Sequence, residues 1–300
     1  MGWLLGCALG IWASTAQAQI NFNSFTAGDI SDTAADKLDI NGVAALNGSA
    51  IRLTPATGNQ AGSMFYSTKQ FVAAGFDTTF SFIWGNTASG ADGTSFVIHN
   101  AAAASDALGG SGGSHGYSGI TPSLILEIDG HNSGAEAQTF DGGESGGVGV
   151  QAQLSLHVNG NANEAAGLVS GSFLAGQNSA IVGSGASGSA TDVSNGLAHT
   201  VRLRYTVNPG ASDDVLDVFY DSTPTLSMTG AALETAFGNA RDGSGQSWVG
   251  FAASTGGALQ SQDIASWNFT SVPEPSAFLL LGSAAAGGLV RRRRRMGRAV

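Results

Sequence analysis

Cysteine is almost missing from this chain: the 300 residues hold one, Cys7, inside the apolar N-terminal run. No disulfide can therefore staple the body, and core burial or bound ions must serve instead. Positive charge is scarce as well. Six of the twelve basic residues lie in the last ten positions, and only Lys37, Arg52, Lys69, Arg202, Arg204 and Arg241 remain in the body, against twenty-one acidic residues before Glu274. A balance of −15 leaves nothing to neutralise phosphate, which argues against nucleic acid as a partner. No repeat of fixed period runs through the chain, so a solenoid or propeller is disfavoured.

What is present at the two ends reads as processing signals. Residues 1–18 form an apolar run that closes on Ala16-Gln17-Ala18, the small-x-small pattern of signal-peptidase cleavage, which predicts export across an inner membrane and a mature start near Gln19. No Lys or Arg precedes the run, so either the start lies elsewhere or the amino terminus alone supplies the charge. Cys7 has too few residues before it for a lipid-attachment signal. At the other end Val272-Pro273-Glu274-Pro275 leads into fifteen residues, Ser276 to Val290, and then Arg291 to Arg295. That stretch is shorter than the ~20 residues of a comfortable transmembrane helix, although bilayer thinning and snorkelling arginines make up the difference. The arginines orient it with the body outside the cytoplasm. Pro-Glu-Pro, a short hydrophobic helix and a terminal basic cluster resemble the PEP-CTERM sorting signal of Gram-negative bacteria. That resemblance implies transient inner-membrane insertion, processing by an exosortase, and a destination at the cell envelope, outer surface or extracellular polysaccharide matrix.

The body between alternates short apolar segments with Gly, Asn and Asp turns: Ile20 to Phe25, Val43 to Leu46, Ile51 to Leu53, Ser63 to Tyr66, Phe71, and Phe76 to Trp84. This is the spacing of an antiparallel β-sandwich. Residues 101–119 read as a surface loop and 148–158 as another alternating strand, followed by a Gly/Ser/Ala-rich region to about 196 that reads as loops with short strands. Leu197 to Val207 and Val215 to Tyr220 predict a hairpin around Asn208-Pro209-Gly210, and Trp248 to Ala253 with Ile264 to Phe269 close the body. The expected organisation is a signal peptide at 1–18, one all-β domain at 19–271 and a sorting tail at 272–300.

Two acidic motifs stand out. Asp92 lies in Ala91-Asp92-Gly93, and Glu127-Ile128-Asp129 follows in an apolar strand, where carboxylates are costly to bury unless a cation or hydrogen bonds hold them. Residues i and i+2 of a strand share a face about 6.6 Å apart, so Glu127 and Asp129 project together while Leu124, Leu126 and Ile128 face a core. Two hard oxygen donors side by side suit Ca²⁺ or Mn²⁺. His99, His115, His157 and His199 lack metal-ligand spacing and read as structural or exposed.

Taken in order, Ile20 to Phe25, Ser63 to Ser67, Ala91 to Ile98, Gly109 to Ile120, Leu124 to Asp129, His199 to Tyr205, Val249 to Gly256 and Trp267 to Phe269 resemble the blocks of the legume-type (L-type) lectin domain. The resemblance spans residues 20–271 and implies a concanavalin-A-like jelly-roll sandwich that binds carbohydrate. It assigns Glu127 and Asp129 as ion ligands, Asn132 as a further Ca²⁺ ligand and sugar contact, and Asp141 as the second Asp, with Glu136 the fallback. His131 takes the place of the residue that gives its carbonyl and stacks on sugar. Asp92, after a cis Ala-Asp peptide, accepts from two sugar hydroxyls, and Gly112 or Gly113 offers a backbone N–H. Gln260 and Gln262, in the loop that sets sugar preference, either reach a ligand or are merely solvated. The family's transition-metal histidine should precede the strand at Val148, where this chain has Gly146-Gly147, so Ca²⁺ is expected and a second ion is in question.

Three functions compete. A Ca²⁺-dependent glycan-binding protein heads them; a matrix protein that keeps the fold without binding sugar is second. The third is a glycoside hydrolase of related fold, whose Glu-Ile-Asp-x-Glu strand needs two carboxylates. Here Gly130-His131-Asn132 follows Asp129, the second Glu is missing, and a non-enzyme is expected.

Overall fold

The computed structural model describes residues 19–87, 90–131, 152–162, 173–181, 193–210 and 212–272. The expected signal peptide, Asn132, Glu136, Asp141 and the hydrophobic tail lie outside them. In chain order the strands are β1 (Gln19–Phe22), β2 (Leu38–Gly42), β3 (Ala45–Asn47), β4 (Ala50–Thr54), β5 (Ala61–Tyr66), β6 (Gln70–Phe71), β7 (Gly75–Trp84), β8 (Gly93–His99), β9 (Ser123–Asp129) and β10 (Ala152–Val158). After them come β11 (Phe173–Ile181), β12 (Ala198–Thr206), β13 (Val215–Tyr220), β14 (Thr223–Thr229), the helix α1 (Ala231–Asn239), β15 (Gln246–Ser254) and β16 (Gln262–Ser271). No helix among the described residues is long and apolar enough to cross a membrane.

The strands form two antiparallel sheets packed face to face. One runs β14-β13-β12-β7-β16-β4-β3 with β1 beside β16; the other runs β11-β10-β9-β8-β15-β5-β2 with β6 beside β15. Alternation explains the first sheet. In β7, Phe76, Thr78, Phe80, Phe82 and Trp84 are buried while the residues between them are half-buried, the period-2 signature of a strand with one face on a core. The interior is aromatic: Phe251 packs edge-on against Phe80, Phe96 and Trp267 at ring separations of 4.8, 5.4 and 5.1 Å. Burying each such ring contributes about 1.5–3 kcal/mol.

The second sheet is covered on both faces. Leu124, Leu126 and Ile128 of β9 join the aromatic core between the sheets, as alternation requires. On the far face Ile125 meets Phe65, Val97, Tyr117, Ile120 and Ala252 in a smaller second core. Its cover is the 100–122 segment, which holds two one-turn 3₁₀ helices, Ala104–Asp106 and Gly112–Ser114; residues 101–119 read from sequence as a surface loop, but Ala107, His115 and Tyr117 within them are buried.

Some elements depart from expectation. Val43 to Leu46 is not one strand, because Gly42 (φ 65°) turns the chain between β2 and β3. β11 is a nine-residue strand, longer than the short strands expected among loops in that region. β14 and α1 extend the predicted hairpin, and α1 buries Leu233, Ala236 and Phe237, a spacing of i, i+3, i+4 that is the apolar face of a short helix.

Candidate functional site

Antiparallel registry places the two acidic motifs side by side. Gly93 of β8 lies opposite Asp129 and Ser95 opposite Glu127, while on the other flank Ser155 of β10 faces Glu127. Small neighbours on both sides leave room above Glu127. The Gly130 N–H donates to the Asp92 carbonyl at 2.9 Å and the Asp92 N–H to Ser254 O at 2.9 Å, so Asp92 is tied to the ends of both β9 and β15. The Ala91–Asp92 peptide is cis.

Beneath Asp92 runs a buried chain of side-chain hydrogen bonds. Trp84 Nε1 donates to Thr94 Oγ1 (2.9 Å), Thr94 Oγ1 to Gln262 Oε1 (2.8 Å), and Gln262 Nε2 to the carbonyls of Ala91 (3.2 Å) and Ser254 (2.6 Å). Gln262 is thus a buried support and not a ligand contact. Gln260 is also buried, its Oε1 accepting from Ser194 Oγ at 3.0 Å. Both glutamines are buried and hydrogen-bonded within the fold, so neither is a solvated loop side chain.

Beside Asp92 two turns close in. Gly112 N–H donates to Thr255 O (3.0 Å) and Ser254 Oγ to Gly112 O (2.6 Å), which pins the Gly112–Ser114 turn to the end of β15. A Cβ built at Gly256 would sit 3.3 Å from both Asp92 Oδ2 and Gly112 Cα, so a side chain there would crowd the carboxylate. The Gly112 amide is committed to Thr255, whereas Gly113 is exposed.

Glu127, Asp129 and Asp92 are buried, at 1%, 5% and 4% exposure. The six basic residues of the body serve elsewhere. Arg52 pairs with Asp263, Lys69 with Asp242, Arg202 with Asp77 and Arg204 with Asp217, while Lys37 and Arg241 reach the carbonyls of Gly28 and Ala73. What surrounds Glu127 is a set of neutral or titratable groups. Tyr117 O–H donates to Glu127 Oε2, His157 Nε2 lies 3.8 Å from that same oxygen, and His115 Nε2 lies 3.7 Å from Oε1. His115, Glu127 and Asp129 present one ligand atom each within 4.8 Å of one another. Asp129 Oδ1 also accepts the His131 N–H at 2.8 Å.

Asp92, Glu127, Asp129, His131, Gly112 and Gly113 are therefore gathered at one end of the second sheet. His115, Tyr117, Ser155 and His157 belong to the same cluster although sequence reasoning passed them over. For His157 a signal exists: Ser155 and His157 are the polar members of an alternating strand whose Leu154 and Leu156 face the core. No periodicity marks His115, which arrives on a loop.

Comparison with known proteins agrees with this architecture. Residues 271–295 match the PEP-CTERM protein-sorting motif. A lectin from Bauhinia forficata solved in complex with GalNAc is similar over 85% of this chain and 98% of its own, at 19% identity and a TM-score of 0.57. Basic winged bean lectin, solved with Tn-antigen, has 19% identity, the same coverages and a TM-score of 0.58. Arcelin-5, a lectin-like defence protein from Phaseolus vulgaris, has 16% identity, covers 85% of this chain and 97% of its own, and has a TM-score of 0.55. At such identities the likeness is one of fold: the body is a legume-lectin-like jelly-roll sandwich.

Proposed function

We propose that this chain is a non-enzymatic, Ca²⁺-dependent carbohydrate-binding protein, exported and sorted to the cell envelope or the extracellular polysaccharide matrix. The observation that carries the reading is the convergence of Asp92, the Gly112–Ser114 turn and Gly256 on one spot, directly beside the Glu127–Asp129 pair. Asp92 accepts hydrogen bonds from two sugar hydroxyls, where an ionised acceptor gives the stronger, charge-assisted bond. Gly113 offers its amide without a side chain in the way. The donor set fits a divalent ion: buried carboxylates are costly without positive charge close by, and the body's Lys and Arg residues serve elsewhere. Asp129 and Glu127 would hold Ca²⁺ together with Asn132 and Asp141, and His131 would lie at the rim. The likeness to lectin structures supports the glycan, and the PEP-CTERM match supports export and exosortase processing.

The test is binding of the purified full chain to a glycan panel with and without chelator, alongside Asp92→Asn. A lost charge-assisted bond is worth about 1.5–3 kcal/mol, so Asp92→Asn is expected to weaken binding by roughly 10–150-fold with an unchanged melting temperature. Chelation should remove binding and lower the melting temperature, because an ion at a hundred times its Kd stabilises the native state by about 2.7 kcal/mol. Glycan capture indifferent to both changes would reject the reading.

The same fold without sugar binding is the second reading, favoured by the 4% exposure of Asp92. It expects a Ca²⁺-dependent melt with no glycan captured. Hydrolysis has less support. The single Glu127 is enclosed and hydrogen-bonded by Tyr117, and the pair of carboxylates such chemistry uses is incomplete on this strand.

A further inference from the structure

We propose that the precursor stands on the membrane by one end of the sandwich, the end that carries both Gln19 and Val272, and holds the glycan cup around Asp92 at the opposite end, about 30 Å farther from the bilayer. The docking surface is the rim that includes Val207, Thr229 and Val272, and its partner is the outer face of the inner membrane. The inference rests on the reading of residues 276–290 as a segment that enters that membrane, and it adds the direction in which the cup points.

Strand direction carries the proposal. β16 runs for ten residues from Gln262, whose Nε2 holds the Ala91 and Ser254 carbonyls beneath Asp92, to Ser271, which lies opposite Phe76 near the start of β7. Nine steps of about 3.3 Å put the two ends of that strand about 30 Å apart. β7 and β12 obey the same polarity. Trp84, the last residue of β7, reaches Thr94 beneath the cup, whereas Gly75, the first, faces Thr206 at the far end of β12. Val272 continues β16 and donates its N–H to the Gly75 carbonyl at 2.9 Å, so the chain leaves the body at this far end.

The amino terminus emerges there as well. Gln19 lies opposite Thr270 and Phe22 opposite Trp267, so β1 starts where β16 ends. The apolar run of residues 1–18 stops directly before Gln19, and only Val272-Pro273-Glu274-Pro275 separates β16 from residues 276–290. Four residues span at most about 14 Å when fully extended. Two apolar segments therefore join the body at one end with little slack, and two short tethers on one face restrict its orientation far more than a single long linker would.

The chemistry of this end suits the surface of a bilayer and not its interior. Val207 and Val272 are apolar yet 40% and 45% exposed. Close by, Asp213, Asp214 and Glu234 bring their carboxylates within 4.8 Å of one another, and Tyr205 O–H and Asn208 N–H donate to Asp214. Carboxylates are costly to carry into hydrocarbon, so they keep this end at the level of the headgroups while the two valines meet them. An anchored precursor then presents Asp92 and Gly113 toward polysaccharide outside the membrane, and it can bind before its tail is processed.

Site-specific quenching tests this. Cys7→Ser removes the only cysteine, and Val207→Cys or Leu259→Cys then carries a fluorophore at one end or the other. Leu259 is exposed in the connection between β15 and β16, at the cup. The full chain is reconstituted into vesicles of phosphatidylethanolamine and phosphatidylglycerol whose headgroups bear a nitroxide, a quencher that acts only near contact. Strong loss of emission is expected at position 207 and none at position 259. Thr229→Cys, exposed and opposite Val215 at the membrane end, repeats the first measurement should Val207→Cys fail to fold. Equal quenching at both ends, quenching at 259 alone, or no quenching in vesicle-bound chain would overturn the proposal. A chain that does not float with the vesicles would overturn it too, by removing the membrane reading of the tail, and would leave the sugar reading to the glycan panel. Quenching confined to the 207 end in a chain that captures no glycan would uphold the orientation and reject the sugar reading instead.

Discussion

β9 and β12 lie in different sheets and have similar sequences of apolar alternation, yet they are buried in different ways. In β12 the residues His199, Val201, Leu203 and Tyr205 are buried, and those between them are half-buried or exposed, with Arg202 and Arg204 on the outer face. In β9 every residue from Ser123 to Asp129 is buried. The inner faces do the same work; the outer faces do not. β12 turns its outer face to water, and its charges are balanced by Asp77 and Asp217. β9 is roofed by the 100–122 segment, so Glu127 and Asp129 are kept from water by a loop whose placement they help to determine. Burying carboxylates opposes stability unless they are satisfied, so β9 carries a cost on its outer face that β12 does not.

If the inner faces are equivalent, the largest effects should be equal on both strands. Leu126→Ala on β9 and Leu203→Ala on β12 each delete a buried side chain from the same core, at 2% exposure in both cases. Each is expected to lower the unfolding free energy by about 2–5 kcal/mol in denaturant titration. A cost at Leu203 well below that range would mean that the first sheet packs more loosely than its burial suggests, and the comparison would have to be redrawn.

The roofed face also predicts a large acid sensitivity that begins near pH 6.5, well above the carboxylate range. His99, on the same outer face as Ile125 and at the other end of the second core, is fully buried against Phe65. Burial, and secondarily the Lys69 charge, push its pKa down from 6.5 to about 3. Between those values the unfolded chain binds a proton that the folded chain refuses, so stability falls as pH drops through 6.5 and continues to fall toward 3. At about 1.4 kcal/mol per pH unit this amounts to roughly 2–3 kcal/mol between pH 6.5 and 4.5. His99→Asn, whose Oδ1 can replace Nδ1 as acceptor for the Ala101 N–H, should flatten the slope in that interval. An unaltered slope would place the acid sensitivity in another group.

How much of this was legible follows from the range over which each feature is encoded. The division of β9 into Leu124, Leu126 and Ile128 on one face and Glu127 with Asp129 on the other is written in a period of two. Asp92 could be read because it sits in a run of blocks in recognisable order, and the structure brings it to Glu127 and Asp129 through the β8–β9 register. His115 could not be read. Its place depends on left-handed glycines at 112 and 116, which turn the loop back under β15, and no local pattern announces where a loop will land. Gln262 misled for the opposite reason: it lies in a polar stretch but opens β16, where its amide serves the backbone of Ala91 and Ser254. α1 was missed because nine residues with three anchors carry little periodic signal beside so many strands.

The smallest effect is expected on the open face of β12 and sharpens the contrast most directly. Arg204 donates to Asp217 at 2.8 Å, with side-chain exposures of 46% and 23%, and the arginine holds the Asp217 carboxyl below its usual range. Water screens such a pair, and fixing two exposed side chains costs entropy, so exposed ion pairs contribute about 0–1 kcal/mol. Arg204→Ala should therefore change the unfolding free energy by less than about 1 kcal/mol, and what effect there is should vanish in high salt. By linkage, the contribution of the depressed Asp217 is present above the unfolded carboxylate value and lost as pH falls through the folded one, so the variant should differ from wild type least in acid. A cost comparable to that of Leu203→Ala would show that the outer face of β12 is not simply solvated, and burial would then no longer distinguish it from the roofed face of β9.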